Sequence, residues 1–222
     1  MRQLLIDFEE PHYPSFESFL GCQNQELLAL LKSDEVPLLL IWGGKGIGKS
    51  HLLKAWVKHQ WKAGRESILL NTSRQNFPKE LSANHAVAID DIHCFNEEAQ
   101  LRLFHLFNEV VDMQGCLLIS SEVPPKQLTK FRKDLRTRLG LCLIYEVYPL
   151  KEQEKLELMR QFVASQQSNV SEEVLQYLIL RAPRNINFLL NTLQQVDIYA
   201  MKHHRKITVP LLKQFLEDEL HE

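Results

Sequence analysis

The sequence predicts an α/β protein with a parallel five-stranded sheet, followed by a small all-helical domain. Three observations predict this fold class. Short apolar runs alternate with stretches of helical periodicity between residues 36 and 147, which is typical of a parallel sheet with right-handed crossovers. From Pro149 onward only helical patterns follow. A glycine-rich loop lies between the first apolar run and the helical stretch after it.

The glycine-rich loop, residues 43–50, matches the pattern G-x-x-x-x-G-K-[ST] of phosphate-binding loops. Glycine lacks a Cβ, so the backbone can turn sharply and direct several N–H groups at one anion. Lys49 supplies a positive charge for the β- and γ-phosphates, and the Ser50 hydroxyl is a hard ligand for Mg²⁺. The helix that begins here adds the positive end of its dipole. The expected nucleotide-binding residues are Gly43, Gly44, Lys45, Gly46, Ile47, Gly48, Lys49, Ser50 and His51.

Two acidic residues, Asp90 and Asp91, end the third apolar run. Open parallel sheets bind ligands at the carboxyl ends of their strands, so we expect Asp90 to hold Mg²⁺ beside Ser50. The plain alternative is a solvated strand end. Asp91 stands where many ATPases place a glutamate that activates water. Because aspartate is one methylene shorter, the sequence predicts weak ATPase activity at most.

Composition narrows the classes of function. Among 222 residues, 45% are apolar and 24% charged, with a formal charge of -2 and a pI of about 6.5. DNA binding depends on a basic surface, so this balance argues against strong direct DNA binding. No apolar run approaches the ~20 residues of a membrane helix. The four cysteines (Cys22, Cys94, Cys116 and Cys142) form no C-x-x-C pattern and are predicted to be reduced core residues of a cytoplasmic protein.

The patterns divide the chain into three parts, namely an extended tail at 1–12, an α/β nucleotide-binding domain at 13–149 and a helical lid at 150–222. Strands are predicted at 36–42, 67–71, 86–91, 116–121 and 143–147. In the α/β domain, helices are predicted at 24–31, directly after the glycine-rich loop, at 97–113 and at 128–139. In the lid, helices are predicted at 151–167, from residue 171, at 185–203 and from residue 208. The stretch 128–139 is strongly basic.

The order of motifs resembles the AAA+ ATPases, and within them the bacterial DnaA initiator group, over nearly the whole chain. The resemblance depends on the glycine-rich loop and on four short segments. These are Ser15-Phe16-Glu17-Ser18-Phe19, Ile89-Asp90-Asp91-Ile92, Ser120-Ser121-Glu122-Val123-Pro124-Pro125 and Leu135-Arg136-Thr137-Arg138-Leu139. It implies an AAA+ core with bound ADP or ATP and Mg²⁺.

The resemblance also implies roles for three further residues. Residues 120–122, with Ser121 as the nucleotide contact, would be the sensor of the γ-phosphate. Arg138 would be the arginine finger that reaches the nucleotide of a neighbouring subunit. The lid of this group offers a second sensor arginine, but Asn187 occupies that position here, and Arg184 lies one turn earlier. Either Arg184 replaces it, or the protein favours the diphosphate.

Two features resemble the Hda-type regulators, the short homologues of DnaA. The chain stops just after the lid, where DnaA carries a helix-turn-helix DNA-binding domain. Residues 3–8 resemble the peptide that binds the sliding clamp of DNA polymerase III, with Gln3, Leu4, Ile6 and Phe8 as contacts. The resemblance implies DnaA and the clamp as partners, and it leaves a homodimer open.

Three functions therefore compete. The first is an ADP-bound adaptor that docks on the DNA-loaded clamp, supplies Arg138 to DnaA and stimulates hydrolysis of its ATP, so that it inhibits initiation. The second is an autonomous ATPase of the helicase-loader or DnaA type. The third is a nucleotide-gated binding module whose N-terminal peptide is only a tether.

Overall fold

The computed structural model describes residues 14–19, 21–33, 36–70, 85–181, 185–203 and 205–219. The chain forms two compact units that divide between Pro149 and Leu150. Among the described residues, all five strands lie in the first unit, and the second unit is helical apart from one isolated bridge between Val170 and Ile207. The α/β class and the parallel five-stranded sheet predicted from the sequence are confirmed.

The sheet has the strand order β2-β3-β4-β1-β5, and every neighbouring pair is parallel. The central strand β1 pairs with β4 on one side and with β5 on the other. Parallel pairing brings the carboxyl ends of all strands to one edge of the sheet. The strands are β1 (Leu38–Trp42), β2 (Glu66–Leu70), β3 (His85–Ile89), β4 (Cys116–Ser121) and β5 (Leu143–Glu146).

Helices cover both faces of this sheet. The side chains of β1 alternate, because Leu39 and Ile41 join one apolar cluster and Leu40 joins the other. The first cluster contains α1 and α2, and the second contains α3 and α4. The four helices are α1 (Gln25–Lys32), α2 (Lys49–Lys62), α3 (Glu97–Asp112) and α4 (Lys133–Leu139).

The second unit has its own apolar core. Its fully or nearly buried side chains include Met159, Leu178, Leu189 and Leu212, one from each helix. The last helix begins after Thr208, whose hydroxyl accepts a hydrogen bond from the N–H group of Leu211 at 3.4 Å. The helices are α5 (Glu152–Ser165), α6 (Glu172–Arg181), α7 (Ile186–Lys202) and α8 (Val209–Glu219).

The predicted helix over residues 128–139 is wrong in its first half. The chain instead forms a 3-10 turn at Pro125–Gln127 and irregular turns up to Arg132, and α4 occupies only the second half. Tertiary contacts explain the difference. Leu128 and Phe131 are buried, and the N–H group of Arg132 donates to the Gln100 side chain of α3 at 3.1 Å.

The cysteine prediction is wrong for Cys22 and Cys94, which are exposed. Both lie in 3-10 turns, at Cys22–Asn24 and Ile92–Cys94, where the chain runs over the surface. Cys116 and Cys142 are buried, as expected, and burial raises the pKa of the Cys142 thiol to about 12. In the part of the chain that the structure describes, no helix is long and apolar enough to cross a membrane.

Asn24 connects the start of α1 to the chain just after β5. Its side-chain NH₂ group donates to the carbonyl oxygen of Tyr148 at 3.0 Å, and its carbonyl oxygen accepts from the N–H group of Tyr148 at 2.9 Å. Only 2% of Asn24 is exposed. One side chain therefore satisfies both backbone groups of Tyr148, the penultimate residue of the first unit.

We expect Asn24→Leu to lower the free energy of unfolding by about 2–4 kcal/mol, because it leaves two backbone groups without partners. Urea denaturation measures this change. The control is Gln23→Leu, which alters an exposed neighbour in the same turn and should change stability by less than about 0.5 kcal/mol. Equal stability of the two variants would contradict a structural role for the Asn24 bonds.

Candidate nucleotide-binding site

Chain segments that follow four strands meet at the carboxyl edge of the sheet. The glycine-rich loop follows β1, the two aspartates follow β3, residues 121 and 122 lie at the end of β4, and Val147 follows β5. Two backbone bonds fix the loop to its neighbours. The N–H group of Gly43 donates to the carbonyl oxygen of Ser121 at 3.2 Å, and that of Val147 donates to Trp42 at 2.8 Å.

The glycine-rich loop requires glycine at two positions for different reasons. Gly48 has φ 103°, a conformation that favours glycine, and it immediately precedes α2. A Cβ at Gly43 would come within 2.8 Å of the Val147 carbonyl oxygen, so the backbone after β5 leaves no room for a side chain. Gly44 and Lys45 are exposed, and Gly46 and Ile47 are partly buried. The loop thus has the backbone geometry of a phosphate cradle.

Lys49 is the cation at the centre of this loop. Its Nζ atom donates to the carbonyl oxygens of Gly43 and Gly44 at 2.8 and 2.9 Å, and only 5% of the residue is exposed. Among the described residues, no carboxylate lies within ion-pair distance of Nζ. A nearly buried ammonium group held only by neutral oxygens is poorly compensated, which favours an anion beside it. The residue therefore fits a bound phosphate group.

The Ser120 hydroxyl connects the ends of β3 and β4. It donates to the Asp90 carboxyl oxygen Oδ1 at 2.5 Å and accepts from the Asp91 N–H group at 2.8 Å. Ser120 is fully buried and Asp90 is 6% exposed. The sequence singled out Ser121 as the contact residue of this segment, but Ser120 is the one that holds the aspartates. Ser121 is also fully buried, and its hydroxyl accepts from the Val123 N–H group at 3.3 Å.

Asp91 adopts a left-handed backbone conformation, with φ 51° and ψ 50°. This conformation is uncommon for residues other than glycine and turns the chain away from the sheet. Burial, and after it the Asp90 carboxylate, raise the pKa of the Asp91 carboxyl group, while Lys49 and His93 act in the opposite direction. A carboxyl group with a raised pKa is a better base near neutral pH.

His93 and Glu122 complete this edge, and the sequence reasoning did not identify His93. The imidazole Nδ1 atom accepts a hydrogen bond from the Glu122 N–H group at 3.3 Å, so the neutral ring carries its proton on Nε2. Nε2 lies 3.6 Å from the Glu122 carboxylate, and Nδ1 lies 3.9 Å from that of Asp91. The only sequence signal is position, since His93 follows Asp91 by two residues.

The side chain of His51 contacts residues that precede α1 and not the phosphate loop. Its Nε2 atom lies 2.8 Å from the Ser15 carbonyl oxygen and 3.2 Å from the Ser18 hydroxyl. Burial lowers the pKa of its imidazole. The ring therefore contacts the residues that precede α1, which leaves the backbone N–H group of His51 as its candidate phosphate contact.

The predicted Mg²⁺ ligands have the right chemistry. Ser50 is exposed in the first turn of α2, and Asp90 offers a carboxylate at the same edge of the sheet. In the described part of the chain no three His, Cys, Asp or Glu side chains form a metal-binding group. Mg²⁺ in nucleotide sites typically uses one or two protein oxygens together with phosphates and water, so Ser50 and Asp90 fit that role.

Arg138 lies on α4, whose Leu135 and Leu139 side chains are fully buried. Within the described residues, its guanidinium group forms no hydrogen bond or ion pair. Arg136, on the same helix, has a buried Nε atom without a hydrogen-bond partner. The buried leucines fix α4 in the domain, and the guanidinium group of Arg138 on this helix has no carboxylate partner among the described residues.

Five predicted site residues lie outside the described residues. They are the expected clamp contacts Gln3, Leu4, Ile6 and Phe8, and the expected second sensor Arg184. Their roles stay predictions from the sequence.

Two family models match the chain. Residues 65–146 match the family described as the bacterial DnaA ATPase domain, and residues 152–216 match the lid domain of Hda. The first match contains Asp90, Ser120 and Arg138, and the second covers most of the helical unit. A Haemophilus influenzae protein of uncharacterised function is 28% identical over 227 residues, which cover 97% of this chain and 98% of that protein.

Solved structures show the same fold. Domain III of the replication initiation protein DnaA from Thermotoga maritima superposes with a TM-score of 0.82 at 21% identity, covering 94% of this chain and 97% of that one. AMPPCP-bound DnaA from Aquifex aeolicus gives a TM-score of 0.72 at 19% identity, covering 97% of this chain and 73% of that one. The architecture is therefore that of the AAA+ core of DnaA.

We expect Ser120→Ala to lower the free energy of unfolding by about 1–3 kcal/mol, because a buried carboxyl oxygen of Asp90 and the partly buried N–H group of Asp91 lose their partner. Urea denaturation without nucleotide measures the effect. Ser121→Ala is the control, since this neighbour is equally buried and its hydroxyl accepts one longer bond; it should cost less than about 1 kcal/mol. A larger loss for Ser121→Ala would contradict the assignment of Ser120 as the connecting residue.

Proposed function

Since this chain is an Hda-like protein homologous to DnaA, we propose that it is a nucleotide-bound AAA+ adaptor that inhibits the initiation of DNA replication. Residues 3–8 dock it on the DNA-loaded sliding clamp. Arg138 then reaches the ATP of a DnaA molecule and stimulates its hydrolysis. The observation that carries this proposal is the uncompensated guanidinium group of Arg138 on a helix anchored by two buried leucines.

The adaptor itself holds a nucleotide in the glycine-rich loop. Lys49 contacts the phosphates, the N–H groups of residues 44–51 surround them, and Ser50 and Asp90 hold Mg²⁺. Bound Mg²⁺ would neutralise part of the phosphate charge. The AMPPCP bound to DnaA of Aquifex aeolicus supports an adenine nucleotide. ADP is the proposed resident form, because Asn187 in place of the usual lid arginine offers no charge for a γ-phosphate.

We expect Lys49→Ala to abolish the thermal stabilisation by ADP and Mg²⁺. A ligand at ~100 times its Kd adds about 2.7 kcal/mol of apparent stability, and a protein that does not bind gains nothing. Differential scanning fluorimetry with and without ADP measures the shift in Tm. The matched control is Lys54→Ala, which removes an exposed charge from the same helix and should keep the wild-type shift. Equal shifts in both variants would contradict the phosphate-loop assignment.

An arginine supplied in trans acts through electrostatics. Negative charge grows on the transferring γ-phosphoryl group in the transition state, and a guanidinium group aimed at it lowers the barrier. In other NTPases this contribution is about 10³–10⁵ in rate. Even the lower value corresponds to about 4 kcal/mol, more than any exposed ion pair contributes to stability. An arginine engaged within its own subunit could not serve this role, and Arg138 has no hydrogen bond or ion pair with the residues that the structure describes.

We expect Arg138→Ala to abolish stimulated hydrolysis of DnaA-bound ATP and to leave Tm, ADP binding and clamp binding unchanged. The stimulation is measured as single-turnover hydrolysis of labelled ATP bound to DnaA, in the presence of clamp loaded on DNA. Arg132→Ala is the control, because this exposed arginine near the start of α4 has a surface ion pair with Asp134 at 3.1 Å. Arg136 is a poorer control, since its Nε atom is buried.

Wild-type stimulation by Arg138→Ala would overturn the finger and favour a simple binding module. Loss of the variant's own nucleotide would show that Arg138 acts within its own subunit.

The clamp-docking step depends on the N-terminal sequence. Gln3 supplies amide hydrogen bonds, and Leu4, Ile6 and Phe8 fill an apolar groove on the clamp. Apolar anchors contribute about 1.5–3 kcal/mol each, or roughly 5–9 kcal/mol together, from which the ordering of the tail subtracts several. A single tail therefore binds weakly, and two sites on one ring raise the avidity. The alternative is that these side chains pack on their own domain.

We expect the double variant Gln3→Ala, Phe8→Ala to lose binding to immobilised clamp in surface plasmon resonance. Asp7→Ala, at a variable position of the same motif, should bind as the wild type does. Undiminished binding of the double variant would refute the motif. Loss of binding by Asp7→Ala would show that charge, and not the apolar anchors, determines docking.

An autonomous ATPase is the second candidate, and Asp91 is the observation that favours it. Its carboxyl group lies at the catalytic edge with a raised pKa, as a base that activates water would. Steady-state ATP turnover by the isolated protein separates the two functions. Turnover that Asp91→Asn abolishes would favour the ATPase, and turnover too slow to measure would favour the adaptor.

A further inference from the structure

Residues 126–138 are strongly basic, although the chain as a whole is slightly acidic. They contain six lysines and arginines and one aspartate, which gives a net charge of +5, whereas the whole chain has a formal charge of -2. All the other residues together therefore carry a net charge of -7. The proposed function uses only Arg138 of these six cations.

Buried apolar residues fix this segment to the domain at every third or fourth position. They are Pro125, Leu128, Phe131, Leu135 and Leu139. Backbone hydrogen bonds close the turns between them, since the Leu128 N–H group donates to the Pro125 carbonyl oxygen at 3.2 Å and the Phe131 N–H group donates to that of Leu128 at 3.0 Å. The polar residues between these anchors are therefore presented to solvent by a backbone that is already fixed.

Three lysines of this segment have charges that no neighbour neutralises. Lys126, Lys130 and Lys133, which we call the lysine face, are all exposed. Within the described residues, none of the three forms an ion pair with a carboxylate. Arg132 lies between them in sequence but is paired with Asp134 at 3.1 Å, so its charge is partly neutralised. The lysine face is thus a set of three unpaired positive charges on a fixed framework.

The exposed side chains around the lysine face indicate the kind of partner. Protein interfaces depend on apolar and aromatic anchors and are depleted in lysine, but no exposed residue between 126 and 134 is apolar. The exposed neutral residues there are Gln127 and Thr129. Lysine, threonine and glutamine are residue types that contact the phosphates of nucleic acids. The composition of this surface therefore fits a phosphate backbone better than a protein.

The same residues favour a duplex over a single strand. Proteins that bind single strands stack the bases on exposed aromatic side chains. Phe131 is the aromatic residue of this segment, and only 7% of it is exposed. A duplex keeps its bases paired and offers its phosphates alone, which is all that the lysine face can contact.

We propose that the lysine face binds the phosphate backbone of duplex DNA, independently of base sequence. Each lysine displaces condensed counterions from the DNA, and their release drives binding. The negative charge on the rest of the chain opposes the approach of DNA, so the binding is weak, in agreement with the overall composition. This proposal goes beyond the proposed function, because it requires neither nucleotide, nor DnaA, nor the clamp.

The number of lysines sets the salt dependence. Each phosphate contact contributes about -0.9 to the slope of log K against log salt concentration, so three contacts give a slope of about -2.7. The affinity should then fall about 40-fold between about 50 and 200 mM salt.

Fluorescence anisotropy of a short labelled duplex, measured at several salt concentrations, tests this proposal with the full chain. The triple variant Lys126→Gln, Lys130→Gln, Lys133→Gln should bind at least about tenfold more weakly at about 50 mM salt, and its slope should be smaller in magnitude by about 3. The triple variant with arginine at the same three positions keeps the charges and should keep the wild-type slope. Two duplexes of unrelated sequence should give the same Kd, and a single strand should bind more weakly.

The matched control is the triple variant Lys32→Gln, Lys54→Gln, Lys62→Gln. These exposed lysines lie on α1 and α2, which cover the other face of the sheet, and their replacement removes the same net charge. The control should keep the wild-type slope, and both glutamine variants should keep the wild-type Tm.

Four results would overturn the proposal. They are no binding of the wild type to duplex at about 50 mM salt, equal losses in the two glutamine variants, an unchanged slope in the lysine-face variant, and equal or tighter binding to the single strand. If the lysine-face variant bound duplex as the wild type does but no longer stimulated hydrolysis by DnaA, the surface would belong to a protein interface instead.

Discussion

Parallel pairing of the central strand is the constraint on which the rest of the first unit depends. β1 lies between β4 and β5 in parallel register, so the chain leaves all three strands at the same edge. The phosphate loop can then bond to Ser121 on one side and pack under Val147 on the other. If β3 or β4 were antiparallel to β1, the start of that strand would lie at this edge. Asp90 and Asp91, or the Ser120 that bonds to them, would then lie at the opposite edge.

The two cations on which the proposed function depends, Lys49 and Arg138, share one property, which is that neither forms an ion pair with a described carboxylate. Lys49 is nearly buried and its Nζ atom donates to two carbonyl oxygens, and the guanidinium group of Arg138 has no hydrogen bond or ion pair with the described residues. Three other arginines show the more usual arrangement, since Arg102, Arg132 and Arg160 each have a carboxylate partner. A positive charge kept without a partner costs stability, and it is useful when the compensating anion comes from a ligand or from another molecule.

The fold was largely predictable because local and tertiary signals agree. Cys116–Ser121 begins with four apolar residues and is buried throughout in the middle of the sheet, so the predicted and observed strands coincide. The helix predicted over residues 128–139 was wrong in its first half, although the composition there is helical. The burial of Leu128 and Phe131, and the hydrogen bond from the Arg132 N–H group to Gln100, favour turns instead. The roles of Ser120, His93 and His51 depend on partners 29 to 36 residues away, and no local pattern encodes such contacts.

The Asn24 bond to Tyr148 has a consequence for how the protein is made. The two residues are 124 positions apart, and the bond can form only once β5 has joined β1. During synthesis, β1 to β4 can therefore assemble before β5 is available. One edge of β1 and the side-chain amide of Asn24 are then still unpaired. Closure of so long a loop is slow, and an open strand edge invites association with other chains. Until residue 148 has emerged, a nascent chain therefore exposes an edge of β1 at which other chains can associate.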